Sequence, residues 1–222
     1  MISAPRLPTP TAILFDWDNT LVDTWPMIHT ALNMTLRYMQ HPEWSIEKVR
    51  SEVKQSMRDS FPEMFGDRWE EAAAHYQQSY RSIHLDALRP ITGAKAMLDA
   101  LATHTTIGVV SNKKSDSLQR EIAHLGWGDR FAVAIGAGDA ARDKPHPDPA
   151  LLALEKIAIA PTRSVWFVGD TTVDLDCANA AGLTAILYAD HDPVIYTEHG
   201  HHFAAHVRDY DELLALLPEP VK

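Results

Sequence analysis

The chain has 222 residues with 45% hydrophobic content, which suits one large domain or a core domain that carries a smaller insertion. Thirty acidic and twenty basic residues give a formal charge of -10, so nucleic acid and anionic membranes are unfavourable partners. The single cysteine, Cys177, excludes an internal disulfide, and no apolar run has the length of a membrane span or a signal peptide, so we expect a cytoplasmic protein.

The first predicted element is a strand over residues 12–15, an apolar run that reads as buried on both faces. It ends on Asp16 and Asp18, and alternation along an extended chain lets these two side chains point the same way while Trp17 turns aside. Two carboxylates that face one spot repel each other unless a cation or a shared proton lies between them. This stretch therefore predicts a metal site.

Residues 26–88 read as consecutive helices without a convincing strand, with breaks near residues 41–42 and 61–62. One predicted helix over residues 49–60 places Lys54 and Arg58 four residues apart on the same face. A guanidinium there could pair with an anionic group of a substrate, and the alternative is that both residues are solvated surface charges. We predict a helical domain over residues 23–88, inserted into a core formed by residues 1–22 and 89–222.

Strands and helices alternate from residue 90 onward, which predicts an α/β fold with a parallel sheet covered on both faces. The predicted strands cover residues 106–110, 131–135, 164–168 and 184–188. Residues 191–206 contain five histidines and raise the question of a zinc site. No cysteine lies among them and no strong helix pattern pairs them, so we predict a solvated loop.

The ends of the predicted strands carry polar side chains of complementary kinds: Asp16 with Asp18, Ser111 with Asn112, Lys144, and Asp170 with Asp174. Each group alone has a plain structural explanation, as a loop cap, a helix cap or a surface charge. Together, and in this order, they are the kinds of side chain that enzymes use for phosphoryl transfer. Mg²⁺ prefers hard oxygen ligands, so Asp16, Asp170 and a backbone carbonyl near Asp18 would hold it.

The requirements of each step assign roles within this set. Asp16, at the strand terminus, suits the nucleophile that attacks phosphorus, and Asp18 suits the acid that protonates the departing alcohol and then the base that activates water. Ser111 can donate to a phosphate oxygen, and Lys144 can stabilise charge that develops on the phosphoryl group or restrain the acidic cluster. The predicted substrate contacts are Ser111, Asn112, Lys144 and Arg58. Asp174 and Thr20 are predicted to support the metal ligands without binding the metal themselves.

Four segments together resemble one known family, the haloacid dehalogenase superfamily of phosphohydrolases: FDWDNTLVDT, VVSNK, DKPHPDP and VGDTTVD. The resemblance implies a Rossmann-like core, an aspartyl-phosphate intermediate on Asp16, acid and base catalysis by Asp18, and Mg²⁺ held by Asp16, the Asp18 backbone and Asp170. The insert resembles the helical cap of the phosphoglycolate phosphatase group. That group usually has glycine at the position of Asn19.

Asp18 favours hydrolysis of a phosphate ester or anhydride, because family members that dehalogenate lack a second carboxylate at its position. We predict hydrolysis of a small phosphate monoester, phosphoglycolate-like or a sugar phosphate, by a monomer or homodimer. A pyrophosphatase or a phosphomutase of the same family is the alternative. A phospho-receiver signalling module uses similar groups, but it is about half this length and has no helical insert.

Overall fold

A six-stranded parallel sheet forms the centre of the molecule. The structure, a computed structural model, describes residues 7–53, 57–83, 85 and 88–218. Its strands are β1 (Ala12–Phe15), β2 (Val22–Asp23), β3 (Arg89–Pro90), β4 (Thr106–Lys114), β5 (Val133–Ala137), β6 (Val165–Gly169), β7 (Thr184–Tyr188) and β8 (Ala205–Val207). The sheet has the order β5-β4-β1-β6-β7-β8 with every pair parallel, and this confirms the predicted α/β fold.

The described residues also form α-helices, which lie on both faces of the sheet and in the segment between β2 and β3. They are α1 (Trp25–Tyr38), α2 (Ile46–Glu52), α3 (Met57–Phe65), α4 (Trp69–Ser82), α5 (Ala94–Leu101), α6 (Ser115–His124), α7 (Asp148–Lys156), α8 (Thr172–Ala180), α9 (Val194–Glu198) and α10 (Tyr210–Ala215). Ile13 and Phe15 of β1 pack in one hydrophobic cluster with α5, α6 and α10, whereas Leu14 packs in a second cluster with α7 and α8. The side chains of β1 therefore alternate between two buried faces, as its continuous apolar run predicts.

Helices α1 to α4 surround a third cluster of buried side chains, which includes Leu36, Val49, Phe61 and Phe65. The chain enters and leaves this helical segment through β2 and β3, which pair in an antiparallel manner. The predicted insert boundaries fall at these two short strands. That the segment is a separate domain remains our proposal. None of the described helices is long and apolar enough to cross a membrane.

The prediction of one helix over residues 49–60 is wrong. Helix α2 ends at Glu52, and Val53 has an extended ψ of 87°, so Arg58 lies on a different helix, α3. Lys54 lies outside the described residues. The predicted break at residues 61–62 is also wrong, because Pro62 lies inside α3. Burial of Phe61 and Phe65, whose rings are 5.0 Å apart, offsets the backbone hydrogen bond that a proline removes.

The histidine-rich segment is more ordered than predicted, since α9 and β8 lie within it. His206 Nε2 is 2.8 Å from the carbonyl of Ala189, and His201 Nδ1 is 2.8 Å from a carboxylate oxygen of Asp176. Across the described residues, the one group of three acids, histidines or cysteines that could hold a metal contains no histidine. These contacts give the two histidines structural roles.

The turn after β1 explains why asparagine can occupy position 19. Asn19 has φ of +61°, in the left-handed region that glycine adopts freely and asparagine tolerates better than most residues. Its N–H donates to the carbonyl of Val22 at 2.6 Å, and its side-chain oxygen accepts from the N–H of Thr24 at 3.2 Å. Asn19 thus supplies the turn that glycine would allow and adds a hydrogen bond to the start of the helical segment.

Replacement of Asn19 by alanine should lower the free energy of unfolding by roughly 1–2 kcal/mol, because a Cβ is strained in the left-handed region. Asn19→Gly should cost less, since glycine avoids that strain and loses only the side-chain hydrogen bond. Urea unfolding followed by circular dichroism would measure both variants. An alanine variant as stable as the glycine variant would contradict this explanation.

Candidate active site

The predicted site residues converge on one cavity at the carboxyl ends of β1, β4 and β6. The cavity has a volume of about 370 Å³ and lies between the sheet and the helical segment. This volume falls within the range of small-molecule sites, roughly 300–1,000 Å³. The predicted residues along its wall are Asp16, Asp18, Arg58, Ser111, Asn112, Lys144, Asp170 and Asp174.

Lys144 is the centre of the polar floor, and its side chain is 2% exposed. Its Nζ donates to Asp16 Oδ1 and to Asp174 Oδ1, both at 2.6 Å, and to the carbonyl of Val110 at 2.9 Å. An ammonium group has three donors, so these contacts use all of them. These contacts match the second of its two predicted roles, which is to restrain the acidic cluster, and its contact with a phosphoryl group remains a prediction.

Burial has opposite effects on the charged groups of this floor. It raises the pKa of Asp16 to about 7, and the nearby carboxylates of Asp174 and Asp18 add to the rise while Lys144 opposes it. Burial alone would lower the pKa of Lys144, but attraction to Asp16 and Asp174 outweighs burial and raises it. Lys144 is thus a permanent cation beside an acid that is costly to ionise.

Asn112 positions Lys144 through the backbone. Its Nδ2 donates to the carbonyl of Lys144 at 2.9 Å, and its Oδ1 accepts from the N–H of Lys144 at 3.0 Å. Because both polar atoms of its amide contact Lys144, Asn112 positions that residue, and its predicted contact with substrate remains a prediction. Asn112 belongs to β4 and Lys144 to the loop after β5, so these two bonds fix that loop against β4.

A second group of acids lies beside Asp16. Thr20 Oγ1 is 3.3 Å from Asp170 Oδ1, and Asp174 Oδ2 accepts from the backbone N–H and the hydroxyl of Thr171 at the start of α8. Gly169 lets Asp174 approach this closely, because a Cβ at position 169 would lie 2.4 Å from the Asp174 side chain. Position 169, where β6 leads into α8, therefore requires glycine.

The donor set fits a hard divalent cation. One carboxylate oxygen from each of Asp16, Asp170 and Asp174 lies within 4.8 Å of the other two. Burial raises the pKa of Asp170 well above its ordinary value, and the carboxylates of Asp16 and Asp174 raise it further. Asp174 already contacts Lys144 and Thr171 with its two oxygens, which leaves Asp16 and Asp170 as the better ligands for such a cation.

Asp18 has a cation of its own, Lys113, which the sequence analysis did not assign to the site. Nζ of Lys113 lies 2.7 Å from Asp18 Oδ1 as an ion pair and 2.7 Å from Glu121 Oε2. Burial alone would lower the pKa of Lys113, but the charges of Asp18 and Glu121 outweigh burial and raise it. The nucleophile candidate and the acid candidate are thus each held by a different buried lysine.

Glu121 links Asp18 to the helical segment. It accepts from Trp17 Nε1 at 2.7 Å and from the hydroxyl of Tyr80, on α4, at 3.0 Å. Trp17 is fully buried and packs in the same hydrophobic cluster as Phe15. A charged residue between Leu118 and Ile122, on the apolar face of α6, is the sequence signal that could have revealed Glu121.

Two further predicted residues lie at the rim and the floor of the cavity. Ser111 is buried, and its Oγ accepts from the N–H of Lys113 at 3.1 Å, which leaves the hydroxyl proton to donate into the cavity. Arg58 lies 2.9 Å from Asp143 Oδ2 on the loop that precedes Lys144. The guanidinium of Arg58 therefore joins α3 to the loop after β5, and its predicted contact with substrate remains a prediction.

Comparison with known proteins gives consistent matches. Residues 13–188 match the haloacid dehalogenase-like hydrolase family. A phosphoglycolate phosphatase from Xylella fastidiosa is 32% identical over 183 residues, which cover 80% of this chain and 80% of that protein. A pyrophosphatase from Bacillus pumilus is 29% identical over 178 residues, which cover 78% of this chain and 81% of that protein.

Solved structures share the fold. A haloacid dehalogenase-like family hydrolase from Streptococcus pneumoniae superposes with a TM-score of 0.81 at 22% identity, covering 93% of this chain and 97% of that chain. A hydrolase of the same superfamily from Ehrlichia chaffeensis has a TM-score of 0.63 at 29% identity, covering 93% of this chain and 95% of that chain. The helical segment and the sheet therefore occur together in related chains.

Affinity for Mg²⁺ should fall as the pH is lowered through about 7, because burial raises the pKa of Asp16 to about 7 and protons then compete for its oxygens. Well below that pKa, each pH unit should weaken binding roughly tenfold. Isothermal titration calorimetry at about pH 8 and about pH 6 would measure the difference. Circular dichroism at both pH values controls for unfolding, and equal affinities would contradict the assignment of Asp16 as a ligand.

Proposed function

The chain belongs to the haloacid dehalogenase-like hydrolase family, and from this premise we propose that it hydrolyses a small phosphate monoester through an aspartyl-phosphate on Asp16, with Mg²⁺ as cofactor. One observation carries the proposal. Asp16 ends β1 beside the cavity, and Lys144 holds one of its two oxygens while Asp18 lines the same cavity. A buried carboxylate with one oxygen fixed and the other available is suited to attack on phosphorus.

In the first half of the reaction, Asp16 forms a bond to phosphorus. Lys144 keeps Asp16 Oδ1 in place, so Oδ2 is the attacking atom. The bond from phosphorus to the ester oxygen breaks, and its electron pair goes to the departing oxygen, which takes a proton from Asp18. Ser111 donates a hydrogen bond to a phosphoryl oxygen as charge develops there.

In the second half, Asp18 acts as a base. It takes a proton from water, the water oxygen attacks phosphorus, and the bond from phosphorus to Asp16 breaks. The products are inorganic phosphate and the original Asp16 carboxylate. Lys113 contacts Asp18 Oδ1, so Oδ2 is the atom that exchanges the proton. The two carboxylates thus perform different steps because different lysines hold them.

Asp16 and Asp170, with the backbone carbonyl of Asp18, would hold Mg²⁺ in this scheme. When bound, the ion neutralises phosphate charge and so lets an anionic carboxylate approach an anionic phosphorus. The close set of carboxylate oxygens and the raised pKa values of Asp16 and Asp170 support this assignment. Asp174 and Thr20 would act behind these ligands by orienting Lys144 and Asp170.

The relatives suggest where a substrate search should begin. Phosphoglycolate is the compound named for the Xylella fastidiosa relative, and sugar phosphates belong in the same panel. Pyrophosphate is a second candidate, because the Bacillus pumilus relative is a pyrophosphatase. Release of inorganic phosphate from each compound, with Mg²⁺ present, would rank them. No observation favours the phospho-receiver module, because the chain belongs to a hydrolase family.

We also propose that the protein is cytoplasmic and acts as a monomer or homodimer. The free thiol of Cys177 is buried, and burial raises its pKa to about 12, which makes it unreactive and compatible with a reducing compartment. Light scattering of the purified protein would give the oligomeric state.

Asp16→Asn should reduce turnover by at least about a thousandfold, roughly 4 kcal/mol in the barrier, because an amide does not attack phosphorus. Phosphate release under saturating Mg²⁺ would measure the effect. Asp23→Asn is the matched control, since Asp23 is an exposed aspartate in β2, shortly after Asp16 in the chain. An Asp16→Asn enzyme with near-normal turnover would remove Asp16 from the role of nucleophile.

Asp170→Ala should weaken Mg²⁺ binding by at least about tenfold while the protein stays folded, because the site has few protein ligands. Calorimetric titration with Mg²⁺ would measure it, and Asp176→Ala serves as control because Asp176 lies on α8 outside the acidic group. Unchanged Mg²⁺ affinity in Asp170→Ala, or full activity of the wild-type enzyme in excess chelator, would refute the metal assignment.

A further inference from the structure

The part of the cavity that faces the helical segment is apolar. The described side chains there that carry rings or aliphatic groups are Trp25, Ile28, Leu32, Trp44, Val53, Met57, Phe61, Met64, Trp69, Ala73, Tyr76 and Tyr80. The polar floor needs room only for a phosphoryl group and its metal, whereas the whole cavity measures about 370 Å³. A substantial apolar volume therefore remains above the floor.

A continuous aromatic wall leads from the acid candidate into this volume. The hydroxyl of Tyr80 donates to Glu121, which contacts Lys113 beside Asp18. The ring of Tyr76 lies 6.0 Å from that of Tyr80, and Phe61 packs edge-on against Tyr76 at 5.6 Å. A leaving group whose oxygen takes a proton from Asp18 would therefore extend along these three rings.

The charges along the wall disfavour an anionic leaving group. Lys113 and Arg58 each already face a carboxylate, Asp18 and Asp143 respectively. Lys114, a third cation of the wall, donates to the side-chain oxygen of Gln77.

Glu52 adds a negative charge on the helical side. Lys113 and Arg58 thus already have carboxylate partners, and a substrate carboxylate that bound either cation would have to compete with that partner.

On the basis of the proposed phosphatase function, we infer that the preferred substrate is a phosphate monoester whose leaving group carries a hydrophobic, ring-sized part. The phosphoryl group lies on the floor formed by Asp16 and Ser111, and the apolar part lies against Phe61 and Tyr76. Burial of an apolar group on this wall supplies the affinity that distinguishes such a substrate from a two-carbon carboxylate such as phosphoglycolate.

Three alkyl phosphates test the inference: ethyl phosphate, phosphoglycolate and 2-phenylethyl phosphate. Ethyl phosphate and 2-phenylethyl phosphate share a primary ester oxygen and differ by one phenyl ring, so the comparison isolates the apolar wall. With wild-type enzyme and Mg²⁺, kcat/KM for 2-phenylethyl phosphate should exceed that for each of the other two at least tenfold. Values for the two matched esters within about threefold, or a preference for phosphoglycolate, would overturn the inference.

A filled cavity provides the second test. Ala73→Leu adds volume to the wall, and Ala74→Leu makes the same change at an exposed position of α4. The ratio of kcat/KM for 2-phenylethyl phosphate to that for ethyl phosphate should fall about tenfold in Ala73→Leu and stay unchanged in Ala74→Leu.

Thermal unfolding would verify that both variants fold, and Met57→Gln, a polar change of similar size on the same wall, should lower the ratio in the same direction. A ratio that changes in neither Ala73→Leu nor Met57→Gln would contradict the inference. Failure of the wild-type enzyme to release phosphate from these three esters and from the sugar phosphates of the wider panel would be a distinct result that overturns the proposed function itself, and the inference with it.

Discussion

The ammonium group of Lys144 is the interaction on which the rest of the site depends. It joins Asp16 at the end of β1, Val110 in β4 and Asp174 in α8, so one buried cation ties three elements of the sheet domain together. Without it, the buried carboxylates would repel one another. Loss of one partner from a buried ion pair costs about 3–5 kcal/mol, so the charges that position the nucleophile also stabilise the fold.

A second lysine gives the neighbouring acid a different connection. Lys113 holds Asp18 and reaches Glu121 and Tyr80, and Tyr80 belongs to the helical segment. Asp16 is therefore fixed to the sheet, whereas Asp18 is connected through hydrogen bonds to the segment that covers the cavity. A change in how α4 packs would move the partners of the acid and leave those of the nucleophile in place.

The sequence predicted the sheet well because a strand buried on both faces leaves a continuous apolar run, and the polar residues that follow such runs in a parallel sheet must meet at one edge. It did not predict the partners within the site. The contact of Glu121 with Trp17 joins residues 104 positions apart, and the contact of Asn112 with the Lys144 backbone depends on where the loop after β5 meets β4. The position of Pro62 inside α3 shows that burial of neighbouring side chains outweighs the low helix propensity of proline.

The most direct test of the central claim is chemical trapping of the intermediate. Enzyme quenched during turnover of its best phosphate ester would be reduced with borohydride, which converts an aspartyl-phosphate to homoserine, and then mapped by mass spectrometry. Homoserine is expected at Asp16, with unmodified aspartate at Asp18 and Asp170. Active turnover with modification at another carboxylate, or with none, would contradict the role of Asp16 as nucleophile.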